Sequence, residues 1–395
     1  MAKQNKIMVT RASMPPFEEY EALIRHLWDT HFLTNMGEYH EELKEELRRF
    51  LQTAGLELFV NGHMALEMAL QAFSLQGEVI TTPFTFSSTV HAIVRSGLKP
   101  VLCDVRETDG TMDAAQLERL ITAKTTAIVP VHVYGNVCDT EAISAIAKKH
   151  GLKVIYDAAH AFGEEVRVLE NGKPGGAPYA MQEKAADAWH GIGTFGDAAM
   201  FSFHATKVFN TIEGGAVSWN CAESAFLKDR LYQLKNFGIT GKESVAYVGG
   251  NAKMNEFSAA MGICNLRHVR AWIEARKKVC MRYRENLKGV PGVRLMPLRE
   301  DVRSNYAYMP VVLENGKAQR DAVYEALCRA DIYPRKYFYP CVNDYDCYQA
   351  RFAESKTPAA RYLADRVLTL PLYPELEAGV VDEICSRMET ALRQN

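Results

Sequence analysis

The sequence lacks the features that mark secreted, membrane-spanning and nucleic-acid-binding proteins. Its nine cysteines form no C-x-x-C pair and no zinc pattern with histidine, so neither a disulfide framework nor a metal site is expected. The 46 basic and 48 acidic residues nearly cancel, which excludes a global field that would recruit nucleic acid. No apolar run is long enough to span a bilayer, and residues 1–16 lack the apolar core of a signal peptide. These absences predict a cytoplasmic protein with reduced thiols and with neither nucleic acid nor membrane as a partner.

Short apolar, β-branched runs alternate with amphipathic stretches over the first two thirds of the chain. This alternation predicts a three-layer α/β/α sandwich with a mainly parallel, seven-stranded sheet. The helical stretches 64–75 and 139–151 have apolar residues at three-and-four spacing. The predicted strands are 56–60, 78–82, 100–105, 126–133, 152–157, 198–203 and 214–219.

The character of the sequence changes near residue 255. A long helical pattern at 256–287 leads into a stretch that we interpret as two short strands and two further helices. We therefore expect a large domain at 1–255, which includes an N-terminal arm, and a smaller α+β domain at 256–395. Residues 164–193, rich in glycine, alanine and polar side chains, are predicted to form a long loop inserted between two strands.

One lysine stands in unusual surroundings. Lys207, in the stretch SFHATKVFNTIEGGAV, has small, apolar and hydroxyl neighbours instead of charged ones. It follows directly on a predicted strand, at the carboxyl edge where open α/β sheets bind ligands. A lysine shielded from water there has a lowered amine pKa and becomes a nucleophile toward carbonyl carbon. Taken alone, the pattern is more typical of a lysine that extends from a sheet edge into solvent.

Two further stretches carry candidate ligand-binding residues at the end of a predicted strand or just after it. In VIYDAAHAFG a buried strand ends in Asp157, whose carboxylate needs a partner such as a protonated pyridine nitrogen, and His160 lies beside it. In TTPFTFSSTVHAI, Phe86 offers an aromatic face to a flat heterocycle. The structural alternatives are a capped turn with a core histidine and an ordinary core phenylalanine.

A strand–turn–helix junction suits an anion. In LELFVNGHMALEMAL, the glycine of the turn lets the backbone approach a ligand closely, and free amides at a helix N-terminus favour negative charge. A phosphate would dock on Gly62, His63 and Met64. Junctions of this kind are common, so the pattern indicates a ligand only in combination with the others.

In combination, these stretches resemble the DegT/DnrJ/EryC1/StrS family of pyridoxal-phosphate-dependent sugar aminotransferases. The resemblance covers residues 32–374 and implies a fold-type I transferase that uses pyridoxal 5′-phosphate. The shared motifs, in order, are FLTNMGEYHEELK, NGHMALEMAL, TTPFTF, VHVYGN, YDAAHAFG, GTFGDAAMFSFHATK, EGGAV, GGNAKMNEFSAAMG and LPLYP.

The resemblance also implies roles for individual residues. Lys207 would bind the cofactor covalently and shuttle the proton during catalysis. Asp157 would pair with the pyridine nitrogen, His160 would lie near the ring oxygen, and Phe86 would stack on the ring. The residues that would hold the phosphate are Gly62, His63, Met64 and Ser202.

The resemblance further implies partners and a substrate class. Asn251, in GGNAKM, lies in the segment that family members lend to the partner subunit, which implies a homodimer with active sites at its interface. L-glutamate would donate the amino group to a nucleotide-linked ketosugar. FHATKVFNTIEGG and IYPRKYFYP are most similar to members that aminate C4 of 4-keto-6-deoxyhexoses for surface polysaccharides. The residues expected to meet the diphosphate and sugar are Arg335, Lys336, Tyr337 and Tyr339.

Alternatives remain open at this point. A 3-ketosugar or cyclitol aminotransferase of the same family would have the same motifs, and only the product would separate them. A non-catalytic protein that keeps the fold for regulation is disfavoured, because it would not need both Lys207 and Asp157. Members that dehydrate sugars replace the lysine by histidine, so Lys207 argues against that route.

Overall fold

The computed structural model describes residues 6–168, 188–220 and 224–394. The helices are α1 (Phe17–Thr30), α2 (Glu38–Phe50), α3 (Gly62–Ala72), α4 (Ser87–Arg95), α5 (Thr140–His150), α6 (Ser224–Lys235), α7 (Glu256–Leu287), α8 (Lys317–Cys328), α9 (Pro358–Arg366) and α10 (Ala378–Gln394). The strands are β1 (Ile7–Met8), β2 (Gly55–Phe59), β3 (Glu78–Thr81), β4 (Lys99–Leu102), β5 (Thr125–Ile128), β6 (Lys153–Asp157), β7 (Glu165–Val168), β8 (Ala188–Gly191), β9 (Ala198–Ser202), β10 (Gly215–Trp219), β11 (Ile239–Gly241), β12 (Ser244–Val245), β13 (Val293–Leu295), β14 (Val302–Arg303), β15 (Met309–Leu313), β16 (Ile332–Tyr333) and β17 (Val367–Leu370).

A seven-stranded sheet forms the centre of the protein. Its strand order is β2-β10-β9-β6-β5-β3-β4. Strand β10 is antiparallel to both of its neighbours, and the other adjacent pairs are parallel. These are the seven strands predicted from the alternating apolar runs, so the prediction of a mainly parallel, seven-stranded sheet is confirmed.

Helices cover both faces of this sheet. Alternate strand residues enter different apolar cores: Ile80 and Phe201 face the core built with α2, α5 and α7, whereas Val79 and Met200 face the core built with α3, α4 and α6. This follows from the two-residue period of a strand, which sends successive side chains to opposite faces. The predicted three-layer α/β/α arrangement is therefore confirmed.

The chain after α7 is richer in elements than expected. We expected two strands and two helices, but the described residues contain α8, α9 and α10 together with an antiparallel sheet of order β13-β15-β17. This sheet and its helices bury a third apolar core. The expectation was wrong because β13 spans only three residues and α9 only nine, too few to produce a clear period. The domain division at residue 255, where α7 is about to begin, stays a prediction.

The predicted loop at 164–193 is wrong at its two ends. Strands β7 and β8 pair antiparallel there, and β14 adds to the free side of β7. Four-residue strands such as EVRV and AWHG are too short to stand out against a glycine-rich background. Residues 169–187 of the predicted loop lie outside the described residues.

Three further features concern the ranges that the structure describes. No helix there is long and apolar enough to cross a membrane. No cluster of histidine, cysteine, aspartate and glutamate there could hold a metal ion. The described cysteines are free thiols, and most of them are buried.

Candidate active site

The site lies where several strands of the central sheet end. Asp157 is the last residue of β6 and Ser202 the last residue of β9, and these two strands are parallel neighbours. Lys207 follows β9 after a short turn, in which its amide donates to the carbonyl of His204. Parallel strands bring their carboxyl ends to one edge, so residues far apart in the sequence meet there.

Lys207 lies partly buried in a pocket that is also lined by His160, Asn305 and Tyr308. Its Nζ lies 6.0 Å from the centroid of the Tyr308 ring. Burial lowers the pKa of the amine to about 8, and the negative charge of Asp157 offsets part of that shift. An amine with this pKa is neutral often enough near neutral pH to attack a carbonyl carbon and to carry a proton.

Asp157 is buried, and each of its carboxylate oxygens accepts a hydrogen bond. Oδ2 accepts a hydrogen bond of 2.7 Å from Thr89 Oγ1, and Oδ1 accepts one of 3.1 Å from the Ala159 amide. Burial raises the pKa of this carboxyl, while the two hydrogen bonds and the charge of Lys207 oppose the rise. Each carboxylate oxygen has more than one acceptor site, so a protonated ring nitrogen can still bind.

His160 is held in one tautomer. Its Nδ1 accepts a hydrogen bond of 3.0 Å from the Tyr134 amide. Burial, with the charge of Lys207 as a smaller cause, lowers the pKa of the imidazole well below its ordinary value, so the ring is neutral. The ring lies parallel to Phe338 and has Tyr308 at 4.8 Å between centroids. A neutral ring that accepts at Nδ1 presents a donor at Nε2.

The start of α3 forms a cradle against the end of β9. A Cβ placed on Gly62 would lie 2.8 Å from Ser202 Cβ, so the close approach of the two backbones requires glycine at this position. Asn61 caps the helix by accepting a hydrogen bond of 2.8 Å from the Met64 amide. Because this amide is engaged, the amides of Gly62 and His63 are the ones left for an anion.

The imidazole ring of His63 is held by side chains of α3 and α4. Its Nδ1 lies 3.0 Å from Ser88 Oγ, and its Nε2 lies 3.4 Å from Glu67 Oε2. Glu67 also accepts a hydrogen bond of 2.8 Å from Arg95. The side chain is thus anchored between α3 and α4, beside the cradle that its backbone helps to form.

Phe86 and Asn251 are both exposed in the single chain. Phe86 is the N-cap of α4, and 55% of its surface is exposed. Its carbonyl accepts a hydrogen bond from the amide of Thr89, whose hydroxyl donates to Asp157. The ring is therefore free to stack on a flat ligand. Asn251 pairs with Asn236 in an isolated bridge on the surface.

The four residues predicted to bind substrate divide into two pairs. The ring centroids of Tyr337 and Tyr308 lie 6.2 Å apart, and the guanidinium of Arg335 lies over the Tyr337 ring. In contrast, Lys336 forms an ion pair of 2.6 Å with Asp321 of α8. The structure therefore brings Arg335 and Tyr337 toward the lysine pocket.

Tyr339, the second member of the other pair, packs against α8. The cations of Lys317 and Arg320 lie 5.0 and 4.5 Å from its ring centroid. Together with the ion pair of Lys336, these contacts direct two of the predicted residues to the helix and not to the pocket.

Sequence reasoning missed four residues of the site. They are joined to Asp157, His160 or Lys207 only through the tertiary fold: Thr89 lies 68 positions before its aspartate partner. The quoted stretch TTPFTFSSTVHAI contained this threonine, but its spacing carries no signal of the contact. The missed residues are Thr89, Tyr134, Asn305 and Tyr308.

Comparison with known proteins identifies the family of the chain. Residues 17–389 match the model of the DegT/DnrJ/EryC1/StrS aminotransferase family. The chain belongs to this family. A dTDP-4-amino-4,6-dideoxy-D-glucose transaminase of Shigella dysenteriae is 38% identical over 97% of this chain and 98% of its own length. A protein of the same name from Escherichia coli is 39% identical over 96% of both chains.

A solved structure shares the fold. DesI, determined in the presence of its TDP-sugar product, has a TM-score of 0.87 and 30% identity, with 100% of this chain and 95% of that chain covered. As a DegT/DnrJ/EryC1/StrS aminotransferase, the protein is an enzyme that uses pyridoxal phosphate. The resemblance inferred from the motifs, the fold-type I architecture and the cofactor are confirmed.

The residues present fit this cofactor. Lys207 supplies an amine of lowered pKa for the aldehyde, and the buried Asp157 supplies a carboxylate for the pyridine nitrogen. The Gly62–Ser202 cradle at a helix N-terminus suits the phosphate. The cofactor supplies an electron sink that stabilises negative charge on a neighbouring carbon.

Proposed function

We propose that the protein transfers the amino group of L-glutamate to C4 of a nucleotide-linked 4-keto-6-deoxyhexose, in the synthesis of an aminosugar for surface polysaccharide. The observation that supports this substrate most directly is the near-full-length similarity to the two dTDP-4-amino-4,6-dideoxy-D-glucose transaminases. A dTDP sugar is therefore the first substrate to test.

The side chains of the pocket suit the proton transfers of this reaction. Lys207, with a pKa of about 8, would take the proton from the donor's α-carbon and deliver it to the cofactor once bound. Asp157 keeps the pyridine nitrogen protonated, since a buried carboxylate stabilises a cation beside it. His160 would donate from Nε2 to the cofactor's ring oxygen, because its Nδ1 already accepts from the Tyr134 amide.

Arg335 and Tyr337 are the residues that we assign to the nucleotide sugar. A guanidinium can bind two phosphate oxygens at once, and a tyrosine hydroxyl can bond a sugar hydroxyl. Arg335 is exposed and close to the Tyr337 hydroxyl, with Nη1 at 3.4 Å from it. Lys336 and Tyr339 are assigned to the packing of α8 instead.

The proposal includes a homodimer. The surface near Asn251 carries exposed apolar side chains, among them Phe237, Val245 and Val248. Exposed apolar residues that lie together favour a protein partner. In the proposed dimer, Asn251 reaches the partner's cofactor site. We also propose a cytoplasmic location, which suits the free thiols of the described cysteines.

The test is a coupled pair of half-reactions. The purified protein with pyridoxal phosphate is mixed with L-glutamate, and the visible absorption of the lysine-bound cofactor should fade as 2-oxoglutarate forms. Addition of dTDP-4-keto-6-deoxyglucose should then restore the band and yield an amine at C4, located by NMR. Lys207→Ala is the matched inactive control.

The alternative is amination at C3. A 3-aminotransferase acting on a UDP sugar is also among the relatives of this chain, at 32% identity. The same assay with a 3-ketosugar decides between the two: turnover there, with none on the 4-ketosugar, would replace the proposed substrate. A protein that ignores every amino donor would refute the glutamate-dependent reaction itself.

A further inference from the structure

A network of hydrogen bonds lies directly behind His160. The side-chain amide of Asn305 donates to the carbonyl of His160 at 2.8 Å and to the carbonyl of Phe162 at 3.0 Å. Its Oδ1 accepts from the Ala307 amide at 2.9 Å. One buried carboxamide therefore ties the turn that carries His160 to the segment that leads into Tyr308.

Glu164 continues the network on the other side. Its Oε1 accepts from the Asn305 amide at 3.2 Å and from Ser304 Oγ at 3.3 Å. The carboxyl is almost completely buried and closes the same turn, since its own amide donates to the Ala161 carbonyl. We call Glu164 and Asn305 the clamp.

The strand Val302–Arg303 explains why the clamp holds two distant regions. This strand, β14, pairs with β7, which begins directly after Glu164. The pairing places the segment 304–308 alongside the turn 158–164. At the level of His160, the two segments are joined by the hydrogen bonds of the clamp and by the contact between the His160 and Tyr308 rings, whose centroids lie 4.8 Å apart.

A glycine of the neighbouring turn packs closely against the clamp. Gly135, with φ of +93°, lies against it: a Cβ there would be 2.7 Å from Glu164 Oε1 and 3.2 Å from Asn305 Oδ1. The preceding residue, Tyr134, is the one whose amide holds Nδ1 of His160. The backbone and the ring of His160 are thus fixed from two sides, by the clamp and by Tyr134.

We propose that Asn305 is a positioning residue, which with Glu164 fixes the His160 turn so that Nε2–H of His160 points at the cofactor's ring oxygen. This inference rests on the proposed placement of His160 beside the cofactor. Asn305 suits this task because a carboxamide both donates two hydrogen bonds and accepts one. Aspartate, which has the same shape, cannot donate to the two carbonyls when ionised.

The test uses the visible spectrum of the lysine-bound cofactor, titrated with pH in the absence of substrate. A hydrogen bond donated to the ring oxygen favours its anionic form and lowers the pKa of this chromophore. Loss of the bond should therefore raise the pKa, by about one unit for a single charge-assisted hydrogen bond. We expect this rise for His160→Ala, for Asn305→Ala and for Asn305→Asp.

The double variant shows whether the two residues act as a unit. If Asn305 acts through His160, the shift of His160→Ala with Asn305→Ala equals that of His160→Ala alone. Shifts that add would overturn the inference, because Asn305 would then act independently. An unchanged pKa in Asn305→Asp, with His160→Ala shifted, would overturn it as well.

Asn343→Ala separates positioning from general loosening. Asn343 is also buried, and its side-chain amide donates to Thr357 Oγ1 at 3.2 Å, outside the lysine pocket. Asn343→Ala should lower the melting temperature without changing the pKa of the chromophore. A pKa shift in this control as large as that in Asn305→Ala would contradict the inference. A wild-type protein without a visible band would instead refute the cofactor placement, and an unshifted His160→Ala would refute the role of His160.

Discussion

The Tyr134 amide donates a hydrogen bond of 3.0 Å to Nδ1 of His160, and this contact decides which nitrogen of the imidazole bears the proton. The buried ring is neutral, because burial keeps its pKa well below the ordinary value. A backbone amide cannot accept a hydrogen bond, so Nδ1 must be the unprotonated nitrogen. His160 therefore faces the pocket as a donor at every pH at which the protein is folded and the ring stays neutral.

Replacement of Lys207 should abolish both the covalent attachment of the cofactor and turnover. Lys207→Ala is expected to lose the visible band and to reduce activity by about 10²- to 10⁴-fold or more, since both the nucleophile and the proton carrier are removed. Absorption spectra and the glutamate half-reaction measure this. Lys99→Ala is the control, because Lys99 pairs with Glu78 at the opposite end of the sheet. Equal losses in both variants would contradict the assignment.

The rate at which the apoprotein captures pyridoxal phosphate should rise with pH. The pKa of Lys207 is lowered to about 8, so the reactive neutral amine increases from about one tenth at pH 7 to about nine tenths at pH 9. We expect a rise of up to about tenfold in the rate of band formation, followed by stopped-flow absorption. A rate that keeps rising tenfold per pH unit beyond pH 9 would mean that the amine titrates as an ordinary lysine.

Loss of the Thr89 hydroxyl should weaken cofactor binding. Thr89→Val keeps the shape but removes the bond of 2.7 Å to Asp157 Oδ2, so the pKa of Asp157 rises further and its charge is less available for the pyridine nitrogen. A hydrogen bond to a charged group contributes about 1.5–3 kcal/mol, which predicts a Kd at least about tenfold higher. Titration with pyridoxal phosphate measures it. Thr89→Ser should restore binding, and a wild-type Kd in Thr89→Val would exclude this role.

Arg335 and Lys336 are adjacent cations, but replacing them should affect the KM for the nucleotide sugar differently. Arg335→Ala is expected to raise KM for the nucleotide sugar by about tenfold or more while kcat changes little, because a charge-assisted bond to phosphate is lost. Lys336→Ala should leave KM unchanged, since its amine is paired with Asp321. Steady-state kinetics measure both. The assignment fails if the lysine variant shows the larger KM effect.

Glu164 should make the protein less stable as pH rises. Burial raises its folded-state pKa to about 8, against the lowering effects of the Asn305 amide, the Ser304 hydroxyl and the charge of Arg299. The protonated form is favoured in the folded state, so its stabilising contribution is complete below about pH 4.3 and is lost as pH rises toward 8. Tyr306, the other titratable group that interacts with Glu164, keeps its proton over this range because burial raises its pKa.

Glu164→Gln measures this contribution. Between pH 5 and 8 the unfolding free energy of the wild type should fall by roughly 3–4 kcal/mol more than that of the variant, as measured by denaturant unfolding at several pH values. Glu165→Gln is the neighbouring control, because Glu165 is only partly buried and is paired with Arg303. Parallel pH curves for wild type and Glu164→Gln would contradict the prediction.

Much of the fold could be predicted from local patterns. The apolar runs located all seven strands of the central sheet, and α7 begins and ends at the predicted residues. These elements are long or fully buried, so their periodicity is strong. The hairpin of β7 and β8 was not predicted, and only two strands were expected after α7, where the described residues contain five. Strands of two to four residues depend on pairing with a distant strand and not on their own pattern.

For the site, the sequence by itself determined the chemistry and the tertiary structure decided the geometry. Lys207, Asp157 and His160 were predicted from strand ends together with the family motifs, because the carboxyl edge of a parallel sheet can be inferred from the order of elements. The partners Thr89, Tyr134, Asn305 and Tyr308 were not, since each meets the site through contacts between segments remote in the chain. Likewise, only packing separates Arg335 and Tyr337 from Lys336 and Tyr339: adjacent residues share a motif, but the direction of each side chain depends on what surrounds it in the folded protein.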